Sequence, residues 1–296
     1  MSITAGQFPQ IVFKNNEKYL WNSIQKKVLK NRPEERVRLQ VVEYLLESGW
    51  SKHRISSEEQ ISSSKEGGLR TDLICYTKKF DPYLLVECKS TAVNISEQTA
   101  DQIALYNKQI NADYLLMTNG LTDFWYEFKD NEPKLLVEIP QPFQLNQSNQ
   151  RTFEFWSARG FAGKKAAAAL RKWLTRILTA QFQNVDSLRY LTFEKKLYQL
   201  DLSHYYQILT FGETRLAVTL LATAFGGTRL IVIQNKNGEN KAVLDINLDI
   251  LFKKEAPNAS IYHSEGRKNI DIKKELDWNE EEFKLNLFAQ KVNIFL

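Results

Sequence analysis

Tyr83-Leu84-Leu85-Val86-Glu87-Cys88-Lys89 is a short run that turns from apolar to charged within seven residues. Its first four residues offer no polar face to water, so a strand buried on both sides is expected there. Charges seldom end such a strand without a partner or a ligand. Side chains alternate along a strand, which puts Glu87 and Lys89 on one face and Cys88 on the other, toward the core. Asp81-Pro82 just before the run is a turn, and residues 69–76 before that turn are strand-like. The two segments read as an antiparallel hairpin. With matching register, Asp72 comes to the side of Glu87, and two carboxylates and an ammonium meet at one spot.

Upstream, Pro33 suits a first helical position and is followed by Glu34 and Glu35. Val37, Val41 and Leu45 then form a stripe at helical spacing, which Gly49 ends. Downstream, a helix is expected over residues 97–110, a buried strand over 114–118 closed by Asn119-Gly120, and a further hairpin over 123–129 and 134–139. Residues 140–150 are rich in Pro, Gln and Asn and read as a linker. Beyond it, a helix is expected over 164–182, with Leu170, Trp173, Leu174, Ile177 and Leu178 inward. Strands follow at 214–221, 229–234, 242–248 and 260–263. The expected plan is an α/β domain over 1–140, a linker over 141–150 and a smaller α+β domain over 151–296.

The totals set outer bounds. The chain has 296 residues, 43% hydrophobic and 25% charged, as in a folded soluble protein. No apolar run approaches a membrane span. Residues 1–11 lack a basic region followed by a long apolar stretch, so no secretory signal is read and a cytoplasmic setting is expected. Cys75 and Cys88 each lie in an apolar run and read as buried thiols. His53, His204 and His263 are scattered, so no Cys/His zinc set can be assembled. Any metal would be held by carboxylates, which suits magnesium, or manganese in its place. The net charge of +5 is compatible with nucleic acid without pointing to it.

Two converging carboxylates repel, and one would hold a proton at neutral pH unless a divalent cation relieved them. Such a cation lowers the pKa of its water and polarises a phosphoryl oxygen. Lys89 could orient or help deprotonate that water and offset charge building on the phosphate. Phosphodiester hydrolysis is the reaction that fits these groups.

Asp72, a gap of 14 residues and Glu87-x-Lys89 resemble the PD-(D/E)xK nuclease motif, with Thr71 where the motif's name has proline. Pro33-Glu34-Glu35-Arg36-Val37-Arg38, Arg70-Thr71-Asp72, Val86-Glu87-Cys88-Lys89, Gln102-Ile103-Ala104-Leu105-Tyr106 and Thr118-Asn119-Gly120 together resemble the N-terminal nuclease domain of type I restriction enzyme R subunits. The resemblance spans roughly residues 30 to 130 and implies a restriction-endonuclease-like core, a central mixed sheet flanked by helices. It implies a magnesium-dependent DNA endonuclease. Asp72 and Glu87 would be metal ligands, with the Cys88 backbone carbonyl as a third, and Lys89 would be the catalytic lysine. A glutamate of the first helix would join them. The helical stripe favours Glu34, while alignment by eye favours Glu35. Gln102 and Tyr106 match the family's Q-x-x-x-Y element, one turn apart on a helix.

An ATP motor would need a phosphate loop. The nearest stretch, Gly160-Phe161-Ala162-Gly163-Lys164-Lys165, has the wrong spacing and reads as a helix entry. Lys164, Lys165, Arg171, Lys172 and Arg176 could face DNA, although a solvated face is the commoner reading. Phe153, Phe155, Trp156 and Phe161 are expected in packing between the domains. Glu58 and Glu59 read as surface charge. The expected partners are DNA, with RNA open, and proteins bound through the C-terminal domain; a homodimer is compatible. The rival reading is a non-catalytic nucleic-acid-binding or assembly module that keeps the nuclease fold.

Overall fold

In the computed structural model, residues 2–58, 71–97, 107–130, 132–145, 151–182, 188–189, 192–195 and 198–296 are described, without the side chains of 108 and 188–201. The chain divides into two compact units: Met1–Lys14 with Lys18–Gln150, and Asn15–Glu17 with Arg151–Leu296. Among the described residues no helix is long and apolar enough to cross a membrane.

The first unit begins with a small sheet of β1 (Ile11–Lys14), β2 (Glu17–Asn22) and β3 (Lys27–Lys30), which no expectation covered. Helix α1 then spans Pro33–Glu47, with Pro33 at its start and Glu34 and Glu35 in its first turn, where acidic charge complements the helix dipole. It stops where Gly49 takes φ +90° and the Trp50 N–H bonds back to the Leu45 carbonyl (2.9 Å). Six strands follow: β4 (Ile55–Ser57), β5 (Leu73–Tyr76), β6 (Pro82–Cys88), β7 (Tyr114–Thr118), β8 (Asp123–Lys129) and β9 (Glu132–Leu136). They lie side by side in chain order as one mixed sheet. Only the β6–β7 pair is parallel; the other neighbours are antiparallel.

Both faces of this sheet are buried, as the apolar run of β6 requires. Leu84, Val86 and Cys88 pack with Val37, Val41 and Leu45 of α1 and with Leu73, Leu116 and Trp125. Leu85 joins Ile74, Leu115, Met117 and Tyr126 on the opposite face. Each fully buried Leu or Val contributes about 1.5–3 kcal/mol relative to an exposed one. The helix expected over 97–110 falls mostly on residues 98–106, outside the described ones. Phe143 lies within the stretch read as a linker, yet it is completely buried in this core. Its ring stacks 5.4 Å from Trp125 and 5.5 Å from Trp50, and its carbonyl accepts a hydrogen bond from the Tyr44 hydroxyl (2.8 Å).

The second unit opens with α2 (Phe153–Ala158) and α3 (Ala168–Gln181). Helix α3 starts four residues later than the alanine run suggests. The Gly163 N–H donates to the Thr228 hydroxyl (2.9 Å) and the Lys165 N–H to the Gly226 carbonyl (3.0 Å), so this backbone is committed to a neighbouring turn. Four short strands, β10 (Leu188–Arg189), β11 (Thr192–Lys195), β12 (Tyr198–Asp201) and β13 (His204–Tyr205), form two small pairs. The main sheet is an antiparallel meander of β14 (Gln207–Phe211), β15 (Thr214–Ala222), β16 (Thr228–Lys236), β17 (Glu239–Asn247), β18 (Ala259–His263) and β19 (Gly266–Ile270). Helix α4 (Leu248–Phe252), α5 (Ile272–Glu275) and α6 (Leu285–Phe295) complete the unit. Trp173 of α3 meets Phe252, Trp278 and Phe283 in one aromatic cluster. Trp156 and Phe161 are fully buried, with Phe161 against Phe182 and Tyr205.

Candidate functional site

Opposite Leu73 of β5 stands Val86 of β6, a register that carries Asp72 to the level of Glu87. Asp72 precedes its strand and Lys89 follows its own, so both sit at one end of the pair. The Asp72 carboxylate accepts the Cys88 N–H (Oδ2, 2.7 Å), which fixes its direction across the two strands. Lys89 Nζ donates to Glu87 Oε1 at 2.6 Å. One residue past the strand, the Lys89 N–H still bonds to the Thr118 carbonyl of β7 (2.8 Å). Asp72, Glu87 and Lys89 are thus brought together, while the Cys88 thiol is fully buried on the other side.

Charge at this spot is unbalanced. Burial, then the charge of Glu87, push Asp72 up to about 6, against the pull of the Cys88 N–H and of Arg38; Glu34 adds to the rise. Burial alone would lower the Lys89 pKa. The hydrogen bond and charge of Glu87, helped by Asp72 and Glu34, outweigh it and hold the ammonium above its ordinary value. Of the two helix glutamates, Glu34 is exposed and its charge acts on Asp72 and Lys89. Glu35 places both carboxylate oxygens on Arg38.

Arg38 and Glu58 are the residues that sequence reasoning missed. The Arg38 side chain is only 4% exposed and faces three carboxylates: Glu35, Glu58 (3.3 Å) and Asp72 (3.8 Å). Glu58 also binds Lys27 (3.1 Å). The one sequence signal was an arginine three residues after Glu35 on a buried helix face. Among the described residues the cluster then holds the carboxylates Glu34, Glu35, Glu58, Asp72 and Glu87 against the cations Lys27, Arg38 and Lys89. Side chains of three His, Cys, Asp or Glu residues do not surround a single metal position among the described residues. The donors present are nonetheless hard oxygen atoms, which suit magnesium or manganese. Gln102 and Tyr106 lie outside the described residues.

Residues 33–141 match the family model described as Type I restriction enzyme R protein N terminus (HSDR_N). None of the curated proteins compared matches the chain. Among solved structures it is similar to a fragment described as an HsdR subunit of a type I restriction enzyme from Vibrio vulnificus, at 19% identity and a TM-score of 0.29. That match covers 49% of this chain and 31% of the other, so the chain spans about a third of that structure's length.

Proposed function

Residues 33–141 form a type I restriction enzyme R protein N-terminal domain, and from that premise we propose that the first unit is a restriction-endonuclease-like core that cuts DNA with the help of magnesium. The observation that carries the reading is the meeting of Asp72, Glu87 and Lys89 at one end of the β5–β6 pair, where Asp72 accepts the Cys88 N–H and Lys89 donates to Glu87. Asp72, Glu87 and the Cys88 carbonyl would hold the cation, with Glu34 rather than Glu35 as the helix glutamate nearest in charge. When bound, the cation supplies a more acidic water and a polarised phosphoryl oxygen.

The side chains do the rest. The Cys88 N–H fixes the direction of the Asp72 carboxylate, and the charge of Arg38 offsets part of the rise in its pKa. Lys89, whose ammonium lies 2.6 Å from Glu87, would orient the attacking water and offset charge on the phosphate. Gln102 and Tyr106 would stand beside the reacting phosphate. The second unit, over residues 151–296, would choose the target or bind partner proteins. The rival reading, a non-catalytic nucleic-acid-binding or assembly module, draws on Arg38, which already supplies positive charge to Asp72 and Glu35.

Incubating the purified protein with supercoiled plasmid and with linear DNA, in magnesium, manganese or EDTA, tests the proposal. Cleavage is expected with either metal, none in EDTA, and a loss of at least about a hundredfold in Asp72→Ala and Lys89→Ala. Cleavage that persists unchanged in both variants would remove these residues from the site. Absence of any cleavage by the wild type across metals would favour the rival.

A further inference from the structure

The turn joining β15 to β16 carries Phe225, whose side chain is 74% exposed. Beside it is a cleft of about 500 Å³, lined by Lys165, Leu170, Phe225, Arg229, Asp249 and Lys253 among others. The cleft is built on close backbone contact. A methyl group on Gly163 would come within 2.3 Å of the Gly226 carbonyl, and one on Gly226, which sits at φ +88°, would meet the Lys165 stem at 3.0 Å. The absence of side chains at these two positions is what lets the Lys165 stem lie along the turn next to Phe225.

The charges there are sorted. Arg229 is matched by Asp245 (3.2 Å), and Asp249 accepts the Thr228 N–H (2.7 Å). Lys165 and Lys253 are exposed and, among the described residues, pair with no carboxylate. An exposed ring that lines one cleft with two uncommitted ammonium groups matches an unstacked base with its neighbouring phosphates. A duplex offers no free base face to such a ring, and an acidic protein segment would use the lysines without using Phe225.

We propose that this cleft of the second unit docks single-stranded nucleic acid, with one base on Phe225 and neighbouring phosphates on Lys165 and Lys253. The inference extends the nuclease reading, because it gives the second unit a hold on the strand that the first would cut. It is tested on the full chain in EDTA by fluorescence anisotropy with a labelled twelve-residue oligothymidylate. Phe225→Ala should weaken binding about tenfold or more, and Phe225→Trp should restore it. Lys165→Ala with Lys253→Ala should reduce the slope of log affinity against log salt by about 1.4. Wild-type affinity in these variants would overturn the proposal. So would a duplex that binds as tightly with the same response to Phe225→Ala, or polyglutamate that displaces the oligonucleotide as well as unlabelled strand does. If no protein cleaves DNA but the strand still depends on Phe225, the nuclease reading falls and the docking site stands. If plasmid is cut while the cleft variants bind normally, the docking site falls alone.

Discussion

Asp72 carries a penalty in the folded chain that it does not carry unfolded. Its pKa rises from an ordinary 3.8 to about 6, first through burial and then through Glu87. A raised carboxylate pKa means that the folded state binds the proton more tightly. The associated stability is therefore full below about pH 4 and is lost as pH climbs through 6. A rise of that size corresponds to about 3 kcal/mol. Asp72→Asn should accordingly stabilise the protein at pH 7, by about 1–3 kcal/mol, and change little near pH 4. Urea unfolding at the two pH values checks this; equal effects at both would show that charge is not the cause. Arg38 acts in the opposite sense. Removing it leaves Glu35, Glu58 and Asp72 facing one another, so Arg38→Met should destabilise by about 3–5 kcal/mol. Adding Asp72→Asn to that variant should recover part of the loss, which a double-mutant cycle would read as coupling.

At the scale of elements, the β5–β6 hairpin and α1 were legible because their signals are local. Leu84-Leu85-Val86 is apolar on both faces, Asp81-Pro82 marks the turn, and Pro33 and Gly49 bracket the helix stripe. The meeting of Asp72 with Glu87 followed from the pleat together with the register of the hairpin. Glu58 was not legible in this way: it lies 20 residues from Arg38, and nothing near it in sequence announces a buried partner. Strand β19 escaped notice because its exposed positions carry polar residues and Ile270 is its one apolar side chain. Phe143 was hidden by its neighbours, since the prolines and glutamines around it carry the signature of a linker. Its ring nevertheless ties that segment to Trp50 and Trp125. Phe143→Ala should destabilise the first unit by about 3–5 kcal/mol in urea unfolding, whereas a true linker position would tolerate the change within about 0.5 kcal/mol.

For the whole molecule, a cation that binds only the folded chain must raise its apparent stability by mass action. Magnesium at a hundred times its dissociation constant should add about 2.7 kcal/mol. The gain should be seen as a rise in melting temperature, lost in Asp72→Asn and Glu87→Gln and kept in Phe225→Ala. A rise that survives both site substitutions would place the cation elsewhere.

The meander of the second unit also bears on how the protein behaves in a crowded solution. In a sheet whose neighbours follow chain order, β14 and β19 are left as its two borders. An open border offers unpaired amides and carbonyls to any passing strand, the usual seed of sheet-to-sheet aggregation. Strand β19 presents Arg267, Lys268 and Asn269 along that border, all exposed. Charge there makes each incoming copy meet its own likeness, so self-assembly is resisted without any loss of pairing to β18. Exchanging Arg267 and Lys268 for valines should leave the fold intact while making the protein aggregate at concentrations where the wild type stays dispersed, as light scattering would show.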